Sequence, residues 1–98
     1  MKEKVFELLR AVPKGKVVTY GQIAECLGNK KAARAVGNIL HSNPDEDRYP
    51  CYKVVDRNGN LSAQFAFGGI EKQKEKLEKD GIIVENYRVN LKKYKHDF

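Results

Sequence analysis

Apolar residues near the start of the chain fall at Val5, Leu8, Leu9 and Val12, the i, i+3, i+4, i+7 spacing of one helical face over residues 2–12. Pro13-Lys14-Gly15 ends that period, and the β-branched run Lys16-Val17-Val18-Thr19-Tyr20 predicts a brief extended segment. Thr19 is placed to N-cap a helix over residues 21–27, with Gly28 as its C-cap. After Asn29, residues 30–41 form another helical run that turns Val36, Ile39 and Leu40 inward, and Ser42-Asn43-Pro44-Asp45 stops it. Two helices joined by so short a Gly-Asn turn predict a helix-turn-helix.

Beyond it, two apolar runs, residues 52–56 and 61–65, flank Arg57-Asn58-Gly59-Asn60, which predicts a β-hairpin serving as a wing. Gly68-Gly69 opens a last helix over residues 70–79, closed by Asp80-Gly81. Ile82, Val84, Tyr87 and Val89 predict an extended tail pinned by alternate apolar residues. The expected class is therefore mostly α with a small β-hairpin, a winged helix-turn-helix, in one domain over residues 1–98.

Composition narrows the function. At 98 residues and 41% hydrophobic, the chain can fill one modest core. No apolar run approaches the roughly 18 residues of a membrane span, and Met1-Lys-Glu-Lys is not followed by a signal-peptide core. The expectation is a soluble protein of the cytoplasm, with no membrane partner. Two cysteines and two histidines, widely spaced, predict neither a disulfide framework nor a metal site. The net charge of +6 is uneven: Lys14, Lys16, Lys30, Lys31 and Arg34 stand against Glu25 alone in residues 14–41. Such a stretch is either a solvated lysine-rich surface or a site for a polyanion.

Two segments carry candidate chemistry. In residues 30–38, Arg34 is surrounded by Ala32, Ala33, Ala35 and Gly37, and shares a face with Asn38 and His41. Small side chains let a backbone approach a narrow groove closely, and equally let a helix pack tightly on a neighbour. In Arg48-Tyr49-Pro50-Cys51-Tyr52-Lys53-Val54-Val55, the proline and the β-rich run hold Cys51 on a rigid platform at a strand's start. Cys51 is either a buried small hydrophobe or a nucleophile, with Lys53 able to lower its thiol pKa if the strand is regular. Cys26, within Ile23-Ala24-Glu25-Cys26-Leu27, reads as core filler.

Taken in order, Thr19-Tyr20-Gly21-Gln22-Ile23-Ala24, Ala33-Arg34-Ala35-Val36-Gly37, Ser42-Asn43-Pro44, Pro50-Cys51-Tyr52-Lys53-Val54 and Gly68-Gly69 resemble the DNA-binding and active-site domain of the O6-alkylguanine-DNA alkyltransferases, across roughly residues 2–95. The resemblance implies a monomer, without cofactor, that binds double-stranded DNA through the minor groove and flips out O6-alkylguanine. It implies that Arg34 fills the vacated stack and that Tyr20 crowds the target phosphate. Thr19, Gln22, Ala33, Ala35, Gly37 and Lys53 would complete the DNA surface, and Val54, Phe67 and Gly68 the base pocket. Asn43 would brace the loop around Cys51, which would accept the alkyl group irreversibly in a single turnover.

The family pattern reads Pro-Cys-His-Arg-Val, with the histidine linking the thiol through water to a glutamate. Here Tyr52 replaces the histidine and Asp80 aligns with the glutamate; a phenol with an ordinary pKa near 10 cannot take a thiol proton at neutral pH as histidine would, so a tyrosine–water–aspartate relay would be the weaker base. The usual polar loop before Gly68-Gly69 is Gln64-Phe65-Ala66-Phe67, whose phenylalanines could wall a base pocket. Small family members without an N-terminal domain include alkyltransferase-like proteins, which bind O6-alkylguanine and recruit nucleotide-excision-repair proteins but lack the cysteine. Three functions follow: a suicide alkyltransferase on Cys51, a lesion sensor, or a generic winged-helix DNA binder. Retention of Cys51 favours the first, loss of the histidine the second, and the set Tyr20, Arg34, Asn43 and Cys51 disfavours the third.

Overall fold

The computed structural model describes residues 2–62, 65 and 67–98. Helix α1 (Lys2–Ala11) buries Val5, Phe6 and Leu9, and Val12 is buried just beyond its end. Phe6 earns its place by stacking on Tyr49, with ring centroids 4.6 Å apart. Strand β1 (Val18–Thr19) leads directly into α2 (Tyr20–Cys26). A capping box marks that junction: the Thr19 hydroxyl accepts from Gln22 N–H, and the Gln22 side chain accepts from Thr19 N–H.

Gly28, at φ +81°, closes α2 as a Schellman turn. Its N–H donates to Glu25 C=O, and Asn29 N–H donates to Ala24 C=O, satisfying carbonyls the helix leaves open. Asn29 then caps the 3-10 turn Lys30–Ala32, which runs into α3 (Ala33–His41). This confirms a helix-turn-helix, with Val36 and Leu40 buried and Ile39 half-buried as the periodicity predicts.

Thr19→Ala removes one half of the capping box at a buried position. The expected loss is about 1 kcal/mol of unfolding free energy. Denaturant titration should show a lower midpoint at unchanged slope.

The wing is where expectation and structure part. Among the described residues, no backbone pairing joins 52–56 to 61–65 as a hairpin. Strand β2 (Val54–Val55) pairs instead in parallel with β1, Val18 opposite Val54 and Thr19 opposite Val55. Both valines are buried, so the run is interior rather than half-exposed. The Asn58-Gly59 turn does form, held by Asp56 Oδ1, which accepts from Asn58 and Asn60 N–H. Its outgoing arm then pairs elsewhere: Val89 N–H donates to Gly59 C=O, and Leu61 N–H to Tyr87 C=O. Gly59, at φ +87°, comes so close that a Cβ would lie 2.2 Å from Val89 O. The small antiparallel hairpin lies in the expected tail, between β3 (Val84–Glu85) and β4 (Arg88–Val89). Asn86 and Tyr87 turn it, both with φ near +55° (53° and 58°), as a two-residue primed turn needs.

Helix α4 (Gly69–Lys79) and the short α5 (Leu91–Tyr94) complete the chain. One apolar cluster joins α1, the helix-turn-helix, Cys51 and Val54; a second gathers Val17, Val55, Leu61, Leu77, Ile82, Val89 and Tyr94. No helix of the described residues is long and apolar enough to cross a membrane.

Candidate functional site

Helix α3 presents Arg34, Asn38 and His41 to solvent, while Ala33, Ala35 and Gly37 are half-buried beside them. With Lys30 and Lys31 exposed at its start, this face is cationic and low in relief. Its inner end borders a cavity of about 240 Å³, walled by Asn38 and His41 themselves, Gly37 and Leu40, Tyr20, Cys51 and Val54, Ser62, Phe65 and Gln73. The solvent face of α3 and the wall bearing Cys51 are therefore continuous. A larger hollow of about 740 Å³, lined by Arg57, Arg88, Tyr94 and their neighbours, does not include Cys51.

Cys51 opens a 3-10 turn, Cys51–Lys53, rather than a strand. Pro50 at φ −75° and ψ 72° makes an inverse γ-turn, closed by Cys51 N–H donating to Tyr49 C=O at 2.7 Å. Asn43, buried, holds the loop from the other side: its Nδ2 donates to Tyr49 C=O at 2.7 Å and its Oδ1 accepts from Asp45 N–H at 2.9 Å. Burial pushes the Cys51 thiol pKa up, and a hydrogen bond from the Asn43 side chain opposes it. The thiol is thus protonated at neutral pH. Cys26 is exposed, not core.

Tyr52 and Asp80 meet directly. The phenol Oη donates to Asp80 Oδ2 at 2.6 Å, leaving no place for a bridging water between them. Burial first, then that hydrogen bond and the carboxylate's charge, push the phenol well above its ordinary range. Tyr52 is committed as a proton donor to Asp80 and cannot take a proton from Cys51.

Other expected residues fall differently. Lys53 is buried, and its Nζ donates to Val12 C=O at 2.9 Å at the end of α1. The 3-10 turn breaks the alternation that would have aimed it with Cys51, so it is neither a DNA-facing cation nor set beside the thiol. Thr19 and Gln22 spend their side chains on the capping box, and Gln22 Nε2 also donates to His96 C=O at 2.7 Å. They fix the start of α2, and with it Tyr20, instead of offering free groups to a ligand. Tyr20 is half-buried at the cavity wall; burial raises its pKa, and a hydrogen bond with Ser62 works against that. Of the expected pocket residues Val54 lines the cavity, whereas Phe67 and Gly68 do not. Phe65 takes that place, with Phe67 edge-on behind it at 6.0 Å. Gln64 and Ala66 lie outside the described residues.

Sequence reasoning missed Gln73. It is fully buried on α4, accepts from Ser62 N–H at 2.8 Å, and donates to Tyr52 and Val54 C=O at 3.0 Å each. One amide thus ties α4 to the Cys51 turn and to the cavity's far wall. Its place between Ile70 and Leu77 on the buried face of α4 was the available signal. Among the described residues no three His, Cys, Asp or Glu side chains cluster as metal ligands.

Residues 1–82 match the family model for the 6-O-methylguanine DNA methyltransferase DNA-binding domain. A bifunctional methyltransferase/endonuclease of Picrophilus torridus is 42% identical over 93% of this chain, which spans 30% of that protein's length. A DNA base-flipping protein of Vibrio parahaemolyticus is 37% identical, over 94% of this chain and 91% of its own. Among solved structures, S. pombe Atl1 in complex with damaged DNA containing O6-carboxymethylguanine superposes with a TM-score of 0.90 at 30% identity, covering 99% of this chain and 94% of that one.

Proposed function

Because the chain belongs to the 6-O-methylguanine DNA methyltransferase family, matching its DNA-binding domain, we propose that it recognises O6-alkylguanine in duplex DNA by extruding the base into the Cys51 cavity and holding it there. The observation that carries this reading is the shared wall: Asn38 and His41 belong both to the exposed face of α3 and to the cavity that Cys51 lines. A base rotated out of the duplex over α3 needs no further path. The Cys51 thiol, set in a cavity wall, cannot reach O6 of a stacked guanine until the base leaves the helix, and extrusion costs least for a poorly paired base. Arg34, exposed among small residues, would fill the gap, and Tyr20 would press on the target's phosphate.

Alkyl transfer would form a bond from Cys51 Sγ to the alkyl carbon, break the bond from that carbon to O6, and return the base as guanine, with the thiol proton passing to solvent or base. The first requirement is the thiolate. Burial holds the thiol protonated, and Tyr52 is engaged with Asp80. Both features support holding over transfer, and a protein that holds a lesion implies a repair partner, for which nucleotide-excision-repair proteins fit. Transfer stands as the second reading, favoured by the placement of Cys51 in the cavity wall. It would be limited by thiolate, rising about tenfold per pH unit below the thiol pKa.

The test uses a duplex with one O6-methylguanine, in competition with its undamaged counterpart, and intact mass at pH 7 and pH 9. The expected result is a preference of about tenfold or more for the lesion, kept by Cys51→Ser, with at most a slow gain of one methylene that quickens at pH 9. Equal affinity for both duplexes would overturn lesion recognition. Complete methylation within seconds at pH 7 would replace holding by transfer.

A further inference from the structure

The loop that delivers Cys51 carries a carboxylate that base extrusion does not use. Glu46 Oε1 pairs with Lys76 Nζ at 3.0 Å, while its Oε2 is buried without a hydrogen-bond partner among the described residues. Both side chains are only 27% exposed, so solvent screens the pair incompletely. Lys76 stands on α4 and also sits 5.9 Å above the Tyr52 ring, next to the Cys51 turn. Glu46 belongs to the loop that Asn43 braces through Asp45 and Tyr49.

We propose that Glu46 and Lys76 are positioning residues that set the reactivity of Cys51, Lys76 being the cation that favours its thiolate and Glu46 the anion that cancels it. The two charges act on the thiol with opposite sign, Glu46 disfavouring and Lys76 favouring ionisation. While they are paired their fields largely offset, and burial decides. The other titratable groups facing Cys51 are Tyr20 from α2 and His41 from α3; Lys53, on its own turn, is aimed at Val12 C=O instead. Glu46 therefore supplies a way to keep the Cys51 thiol quiet within the cavity that it lines. The inference rests on Cys51 facing the extruded base, yet its test needs no DNA, so the two can fail separately.

The test is alkylation of the folded protein by iodoacetamide, in a Cys26→Ser background so that one thiol reports. The Cys51 sulfur forms a bond to the acetamide carbon, iodide leaves, and the thiol proton goes to solvent. Rates are measured against pH for the parent, Glu46→Gln, Lys76→Met and the double variant. Glu46→Gln should lower the midpoint by about half to one pH unit, and Lys76→Met should raise it by a similar amount. The double variant should return close to the parent. At pH 7.5 the rates should differ by only about two- to fivefold, because a less basic thiolate is also a weaker nucleophile. A loosened loop would speed both single variants and raise the high-pH plateau. Midpoints that move in the same direction, or do not move, overturn the proposal.

Discussion

Arg34→Ala is expected to weaken binding to a duplex carrying O6-methylguanine by about 5- to 150-fold, and binding to the undamaged duplex by much less. The guanidinium projects from α3 among Ala33, Ala35 and Gly37, with no ion pair among the described residues to hold it back. If it fills the space left by the extruded base, its loss removes a stacking contact of about 1–3 kcal/mol that exists only in the extruded complex. If it merely neutralises a phosphate, its loss lowers affinity for both duplexes alike and reduces the salt slope by about one. Competition binding on both duplexes at two salt concentrations separates these outcomes. An equal loss on both would remove Arg34 from any role in extrusion.

Gln73→Ala should be the most damaging single change to stability, at about 3–5 kcal/mol. It orphans Tyr52 C=O, Val54 C=O and Ser62 N–H at once and leaves a hole between α4 and the Cys51 turn. Against a total of about 5–15 kcal/mol for a domain, the change approaches unfolding. Gln73→Glu, almost the same shape, tests whether hydrogen bonding or volume is at stake. It keeps an acceptor for Ser62 but sets a carboxylate against two carbonyls, so it should be at least as harmful as alanine. Wild-type stability of Gln73→Glu in denaturant would contradict the assigned amide orientation.

What could be read in the sequence was what local chemistry decides. Thr19 with Gln22, Gly28 with Asn29, and the inward Val36 and Leu40 mark the helix-turn-helix without any distant partner. The wing could not be placed because Asn58-Gly59 is a local signal for a turn, whereas the partners of its arms are distant. Val54-Val55 finds β1, and the other arm finds residues 87–89. The error at Lys53 has the same origin: in a 3-10 turn its side chain reaches Val12, where a regular strand would have set it beside Cys51. At the candidate site, Cys51 was legible from Pro50 and from the resemblance, and Asn43 from the resemblance alone. The spacing of Gln73 with Ile70 and Leu77 could show its burial but not its partners, and Glu46 and Lys76 were not legible, because each acts through tertiary contact with a loop far from it in sequence or through a charge whose partner the sequence does not reveal.

Base extrusion is the claim on which the rest depends, and fluorescence reads it most directly. Pyrrolo-cytosine placed opposite a single O6-methylguanine is quenched while its partner stays in the stack. On addition of the protein, emission should rise with lesion-duplex binding, and rise far less with an otherwise identical duplex containing guanine. Tight, lesion-selective binding with unchanged emission would contradict the account, since the lesion would then be read inside the helix and the Cys51 cavity would have no base to hold.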